Sequence, residues 1–350
     1  MPTTTTGTPV TVPGVPRSLS ATPSYAATRD LHIANGIQIA LNWTAPLSDG
    51  GSPIIAYEVS SDGGTNWVDI GNVMTHTFSG LSSGTHNIRV RARNAVGVSG
   101  NASANPALAN PIYINSVAEL AAIVNNLSGF YLVDGNIGSI EDPVLSMIAG
   151  DFAGTFDGRG HTIHIALTGT NRRGLFETLR RGTVRNLNVT GSITASGNIL
   201  AIGGIAAVIH SDGGTVDNCH VDLEINVPSS TNTAGPVGGI VGGVTGLTGS
   251  FVRNSSARGT INAQSMFVGG IVGNNAASPT IENCQALQTS IQRPNLGTTV
   301  GRITATGGNN VRNNSAYAGM LVNGVVIDAD HPEFNLAVHN DRHGESIPMP

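Results

Sequence analysis

Carboxylates are the first residues to test for chemistry in this sequence, because a suitably spaced Asp/Glu pair is enough to cleave a glycosidic bond. The candidates are Asp217, Asp222, Glu224 and Glu282. Asp217 and Glu282 each stand one residue before an asparagine that recurs along the chain. If each recurrence marks one turn of a stacked coil, the two acids lie two coils apart, ~10 Å. Retaining glycosidases need about 5–5.5 Å and inverting ones about 6.5–9.5 Å. Arg253 takes the position between them, so an Asp–Arg–Glu charge ladder explains the trio more simply than a catalytic pair. His161 and His164 are three apart in an extended pattern, which sends them to opposite faces of a strand and prevents a shared metal ion. His339, Asp341 and His343 come closer to ligand spacing but fall in a polar tail. Arg172, Arg173, Arg180, Arg181 and Arg185 form the one basic concentration, a candidate contact for an anionic glycan or an acidic protein surface. All 17 cationic residues are arginines, so lysine Schiff-base chemistry and a phosphate-loop lysine are excluded, and no cofactor or metal is expected.

The asparagines that frame these acids belong to a repeat. Asn186, Asn218, Asn254, Asn283 and Asn313 each sit in a phrase such as TVRNLNVTGSI or TVDNCHVDLEI, at spacings of 32, 36, 29 and 30. Each is preceded by a glycine-apolar box: GLFE from Gly174, GGIAA from Gly203, GGIVG from Gly238, GGIVG from Gly269, and the worn copy GRIT from Gly301. A period near thirty with no helical pattern inside it predicts a solenoid. The expected architecture is a right-handed parallel β-helix of about seven coils, in which a residue type recurring once per coil forms a column. Leu175, Ile205, Ile240, Ile271 and Ile303 then make an interior aliphatic column. The box glycines are expected to allow backbone conformations that side chains forbid at sharp corners. The asparagines are expected to form a buried ladder of stacked amides.

Composition narrows the function class. Net charge is −5, which argues against nucleic acid as the main partner. Aromatic content is 4% and 46 glycines make the chain turn-rich, yet 39% hydrophobic residues still supply a core. Cys219 and Cys284 each follow a repeat asparagine with Ser255 on the rung between them, too far apart to bridge, and read as interior packing thiols. No stretch is long and apolar enough to span a bilayer, and residues 1–16 lack the pattern of a secretory signal.

Ahead of the repeats the pattern changes. Residues 1–15 read as an extended segment, and 16–105 as short alternating strands such as IQIALNW and IRVRARN, separated by turn clusters, which predicts an antiparallel sandwich. Pro13 and Pro16 before Leu19, Trp43 followed by APLSDGGS and Tyr57, and GLSSGT before IRVRARNAVG make this region resemble a fibronectin type III domain. That family usually has a corner tyrosine where His86 stands, so either His86 substitutes or the corner is looser. Trp43 is expected in the core, whereas Trp67, after SDGGTN, is a candidate exposed contact. No Arg-Gly-Asp occurs in the loops.

Residues 106–112 read as a linker, 113–327 as the β-helix, and 328–350 as a C-terminal cap or tail. Ser116 and Glu119 form a capping box, and Val117, Leu120, Ala121, Val124 and Leu127 follow helical spacing, so a helix over 116–127 is expected to cover the first open edge of the stack. FAGTFDGRGHTIHIAL reads as strand, tight turn and strand, the first full coil. The boxes, with this lead-in, also resemble the GLUG repeat of bacterial surface and secreted proteins. That resemblance implies a β-helical stalk on an extracellular protein and no single activity.

The expectation is therefore a non-enzymatic, extracellular or cell-surface structural or adhesive protein, with a glycan, a protein or copies of itself as partner. The alternatives are a polysaccharide-degrading β-helix enzyme and a phage virion or appendage subunit. Specific contacts are expected in residues that break the period.

Overall fold

The computed structural model describes residues 9–25, 29, 36–231, 235–245, 249–265, 267–275, 279–293, 299–306, 310–327 and 343–349. The chain divides into two compact units, 1–111 and 112–350. Both are built from strands: a fibronectin type III-like sandwich, then a parallel β-helix with a helical cap.

In the sandwich, Arg17–Ser24, Ile37–Thr44 and Thr75–Leu81 form a three-stranded sheet. Val68–Asp69, Ala56–Ser60, Ile88–Arg93 and Ala102–Ala104 form a four-stranded one. Alternation does the folding: IQIALNWT points Ile37, Ile39, Leu41 and Trp43 inward, and IRVRAR points in Ile88, Val90 and Ala92. Trp43 meets Tyr57 edge-on at 5.6 Å between ring centroids. His86 takes over the corner: one ring nitrogen, Nε2, lies 3.0 Å from the Ser82 carbonyl oxygen. From Thr11 onward the expected extended segment is tied down, with Thr11 N–H donating to Gly50 and Gly14 N–H to Ser48. The expected linker is also structured. Ala107–Leu108 pairs with Gly84–Thr85, Leu108 is buried in the sandwich core, and Pro111–Ile114 is already the first strand of the β-helix. Of ALANPIYI, Leu108 belongs to the sandwich core and Ile114 to the core of the β-helix.

Three sheets make the β-helix. Sheet I is eight-stranded and runs Pro111–Ile114, Phe130–Val133, Thr155–Asp157, Thr183–Arg185, Gly214–Asp217, Ser250–Arg253, Thr280–Glu282 and Val311–Arg312. Sheet II is the widest and includes Thr162–Arg173, Asn188–Gly203, His220–Ser230 and Ser256–Ala263. Sheet III runs Ile148–Phe152, Phe176–Leu179, Ala206–Ile209, Val241–Val244 and Val272–Asn274. Successive coils pair in parallel and in register, as in Thr183↔Thr215↔Phe251↔Thr280. The predicted aliphatic column is present: Leu175, Ile205, Ile240, Ile271 and Ile303 are each 0% exposed. Phe130–Val133, with bridges at Ile137 and Val144 and the strand Ile148–Phe152, forms an irregular coil ahead of the one expected to be first.

The capping helix is shorter than its sequence pattern. Ser116 Oγ accepts from Glu119 N–H and Glu119 Oε2 accepts from Asn115 N–H, but the α-helix covers Val117–Ala121 and tightens to 3-10 over Ala122–Asn125. Three residues per turn carries Ile123, not Val124, beneath the same core as Leu120; Val124 is 45% exposed. The 3-10 turn ends at Asn125, and Asn126, at φ −150°, leaves the helical region.

Glycine does a different job from the one expected. Gly204, Gly239 and Gly270 are absent from the positive-φ residues. A Cβ on Gly239 would lie 2.1 Å from the Gly270 carbonyl oxygen, and one on Gly270 would lie 2.0 Å from that of Arg302. The boxes are glycine because each coil rests on the backbone of the next. The last box is released from that requirement, and its second glycine is replaced by Arg302. That residue is fully buried, and its guanidinium donates to Gly344 O and Ser346 Oγ. Burial pulls its pKa down to about 10. Glu345–Ile347 joins sheet II in parallel beside Ser315–Tyr317, so this part of the C-terminal segment lies over the last coil. Residues 328–342 lie outside the described residues.

Candidate binding groove at the asparagine corner

Sheet I turns into sheet II through the repeat asparagines. Asn186, Asn218, Asn254, Asn283 and Asn313 all adopt the left-handed conformation, with φ between 52° and 55°. Asparagine tolerates this region because its short polar side chain bonds locally. These residues are exposed or half-buried, which corrects the expected buried ladder. The interior column is the next residue along: Leu187, Cys219, Ser255, Cys284 and Asn314 are all buried. Strand alternation allows only one of the two neighbours to face inward. The amides do stack: Asn218 Nδ2 donates to Asn186 Oδ1 at 2.8 Å, and Asn283 Nδ2 donates to Asn254 Oδ1 at 3.3 Å. At Asn254 the ladder changes partner, its Nδ2 donating instead to Asp217 Oδ1 at 2.8 Å.

One residue before the asparagines, and before Gly158 in the first coil, runs the charge column, longer than expected: Asp157, Arg185, Asp217, Arg253, Glu282 and Arg312. Arg185 reaches Asp157 at 2.8 Å, Arg253 reaches Asp217 at 2.9 Å, and Arg312 reaches Glu282 at 2.7 Å. Asp217 and Glu282 are thus each engaged by an arginine. Asp222 and Glu224 are exposed on the outer face of the strand His220–Ser230. His164 Nδ1 lies 2.9 Å from Thr190 Oγ1, while His161 precedes the strand Thr162–Arg173 that carries His164.

The five arginines of the basic concentration separate. Arg172 and Arg173 end a sheet II strand; Arg172 donates to Thr178 Oγ1, and Arg173 donates to the carbonyls of Thr168 and Arg172. Arg180 and Arg181 turn the corner from sheet III to sheet I. Arg180 is gripped by Asp212 and Asp151, and Arg181 lies 3.7 Å from Asp212. Arg185 belongs to the charge column. Trp67 is half-buried, its Nε1 donating to Gly64 O, and the Arg91 guanidinium sits 3.9 Å from its ring centroid. Cys219 and Cys284 are buried free thiols whose pKa burial pushes up to about 12. Of the polar tail, His339 and Asp341 lie outside the described residues, and His343 is 5% exposed. Among the described residues, no cluster of three His, Cys, Asp or Glu side chains is placed to hold a metal ion, and no helix is long and apolar enough to cross a membrane.

One corner breaks the period. From Arg185 to Asn188, and from Asp217 to His220, two residues make the turn; from Asp157 to Thr162 there are four, Gly158 to His161. Gly158 is pressed against the following coil, where an added Cβ would lie 2.6 Å from Asn186 O. Arg159 and Gly160 are left-handed, at φ 54° and 82°, and push the loop outward. Beside this loop lies an open groove of about 460 Å³, lined by Arg159, Gly160, Asn186, Asn188, Asn218 and His220. Asn188 Nδ2 donates to Gly160 O at 2.7 Å, and His220 Nδ1 lies 2.9 Å from Ser256 Oγ. Sequence reasoning missed Arg159, Asn188 and His220 as site residues. The available signal was the two-residue excess of GRGH over the other corners.

The fold defines a class: a fibronectin type III-like sandwich joined to a parallel β-helix. No protein-family model matches the chain. Among curated proteins it is similar to halomucin of Haloquadratum walsbyi, at 26% identity over 213 residues, 48% of this chain. The chain spans 2% of halomucin's length. Among solved structures, an IgA1 protease aligns over 83% of this chain and 28% of its own, with 14% identity and a TM-score of 0.40. The fourth fibronectin type III domain of a human protein aligns over 32% of this chain and 94% of its own, with 21% identity and a TM-score of 0.22.

Proposed function

We propose that this chain is a non-enzymatic structural or adhesive segment of an extracellular or cell-surface protein. In this reading its GLUG-type repeats form a rigid stalk, and its partner is a surface glycan or protein. The observation that carries the reading is the charge column. The two carboxylates that share one column offset, Asp217 and Glu282, are held by Arg253 and Arg312. A carboxylate so engaged is a poor general acid. The box glycines and the aliphatic column are likewise employed in stacking, and the repeated asparagines in the left-handed corner. The second reading, a polysaccharide-degrading enzyme, draws on Asp222 and Glu224, which share the outer face of one strand about 6.6 Å apart along the backbone. The full chain incubated with a panel of neutral and acidic polysaccharides is expected to release no new reducing ends and no unsaturated uronate. Turnover that disappears in Asp222→Asn, Glu224→Gln, Asp217→Ala or Glu282→Ala would overturn the structural reading.

A further inference from the structure

The charge column lies on an outward face of the β-helix. Phe156, Val184, Val216, Val252 and Ile281 point into the core, so the residues on either side of each face outward. Sheet I therefore presents one column of Thr155, Thr183, Thr215, Phe251 and Thr280 beside the column of Asp157, Arg185, Asp217, Arg253, Glu282 and Arg312. The charged column has relief as well as sign. Its arginine side chains project, at 40–52% exposed, and its acids are recessed, at 13–24%. A guanidinium carries five N–H donors, and Arg253 and Arg312 meet their acids through Nε and Nη2. Sheet II shows no such order: one of its outward columns runs His164, Thr190, Asp222 and Arg258.

An alternating column with an even number of members is its own complement when reversed. A second copy laid face to face and antiparallel sets Asp157 against Arg312, Arg185 against Glu282, and Asp217 against Arg253, each pairing made twice. Every facing pair is opposite in sign, and each projecting arginine meets a recessed acid. A parallel copy in register would instead set like against like at every rung. A parallel copy slid by one rung leaves an end unpaired and does not close. Other occupants fit the period less well. An anionic glycan meets arginine and acid by turns, so attraction and repulsion cancel along the strip. An extended peptide repeats its face every ~6.6–6.8 Å, out of step with rungs ~4.8 Å apart. We infer that the outward face of sheet I is a self-association surface that pairs two copies of this chain antiparallel, centred between the Asp217 and Arg253 rungs. The column is about 24 Å long, and a face this narrow falls short of the roughly 1,600 Å² of a standard interface. Pairing is accordingly weak, on the order of 0.1 mM, and weakens with salt because the charges are partly exposed.

The inference rests on the non-enzymatic structural reading and is tested separately from it. Sedimentation equilibrium of the full chain is expected to show a monomer–dimer equilibrium at about 20 mM salt, weakened about tenfold at about 500 mM. Arg253→Gln should weaken it about fivefold, because that arginine enters two facing pairs. Arg258→Gln removes the same charge from sheet II and should leave it unchanged. A melting curve identifies a variant that does not fold. Orientation is read with the charge column intact, by mixing Thr183→Cys and Thr280→Cys chains under a mild oxidant. These two positions face each other in the antiparallel pair, and the native Cys219 and Cys284 are buried. Mixed disulfides in excess of random pairing are expected. A chain that stays monomeric at about 1 mM in low salt, association indifferent to salt or equally weakened by Arg258→Gln, or same-site disulfides in excess overturns the surface and leaves the structural proposal standing. Release of new reducing ends from polysaccharide overturns the structural proposal instead.

Discussion

Each regular coil contains two recurrent small residues, and they recur for opposite reasons. At the asparagine corner the backbone is left-handed and the side chain reaches solvent and its neighbouring rung. At the glycine box the backbone is ordinary and buried, and the space where a side chain would go is filled by the next coil. One position is constrained by conformation, the other by volume. Conformational constraint can be met by a second residue type; a backbone atom 2.1 Å from a would-be Cβ cannot move without shifting a whole coil.

This contrast sets the order of expected effects. Gly239→Ala should be the most damaging, at about 3 kcal/mol or more, because backbone must give way. Chemical denaturation should show it as a lowered midpoint, and a loss under about 1 kcal/mol would mean the boxes are looser than their spacing. Asn254→Ala should cost about 1–2 kcal/mol through the left-handed turn, whereas Asn254→Gly should recover most of it. Equal losses in the two variants would assign the asparagines to their amide bonds rather than to φ. Arg253→Met, at a partly exposed ion pair, should cost about 0.2–1 kcal/mol, less at high salt. Smallest at neutral pH is the effect of the interior thiols behind the corner. Burial raises Cys219 and Cys284 to about 12. Stability is therefore unaffected below the ordinary thiol pKa, and it falls as pH rises from about 9 toward 12 because the unfolded chain ionises first. Neither thiol should react with a disulfide reagent near pH 8 until the chain is unfolded.

The sequence showed the period, the aliphatic column and the alternation of the sandwich, because these are spacings and spacing survives in one dimension. The reason behind a recurrence does not. Asn218 and Gly239 both read as column residues, but the sign of φ and the distance to the next backbone depend on how coils lie on one another. The helix is shorter than its pattern for a related reason: i, i+3 and i, i+4 spacings coexist in SVAELAAIVNNL, and only the core beneath it selects Ile123 over Val124. Arg302 looked like decay of the glycine box. Among the described residues, no further glycine box follows the one that carries it. The groove was hidden because its residues come from three coils, Arg159, Asn188 and His220, and carry no shared motif.

The charge column has one consequence for how such a chain can change length. Its members alternate strictly, acid then arginine, through Asp157, Arg185, Asp217, Arg253, Glu282 and Arg312. Copying or excising one coil by recombination would set two arginines or two acids on adjacent rungs, ~4.8 Å apart. Copying two coils restores the alternation at both junctions. On this face the smallest neutral unit of growth is therefore an even number, and a lineage of such rods should lengthen and shorten in pairs.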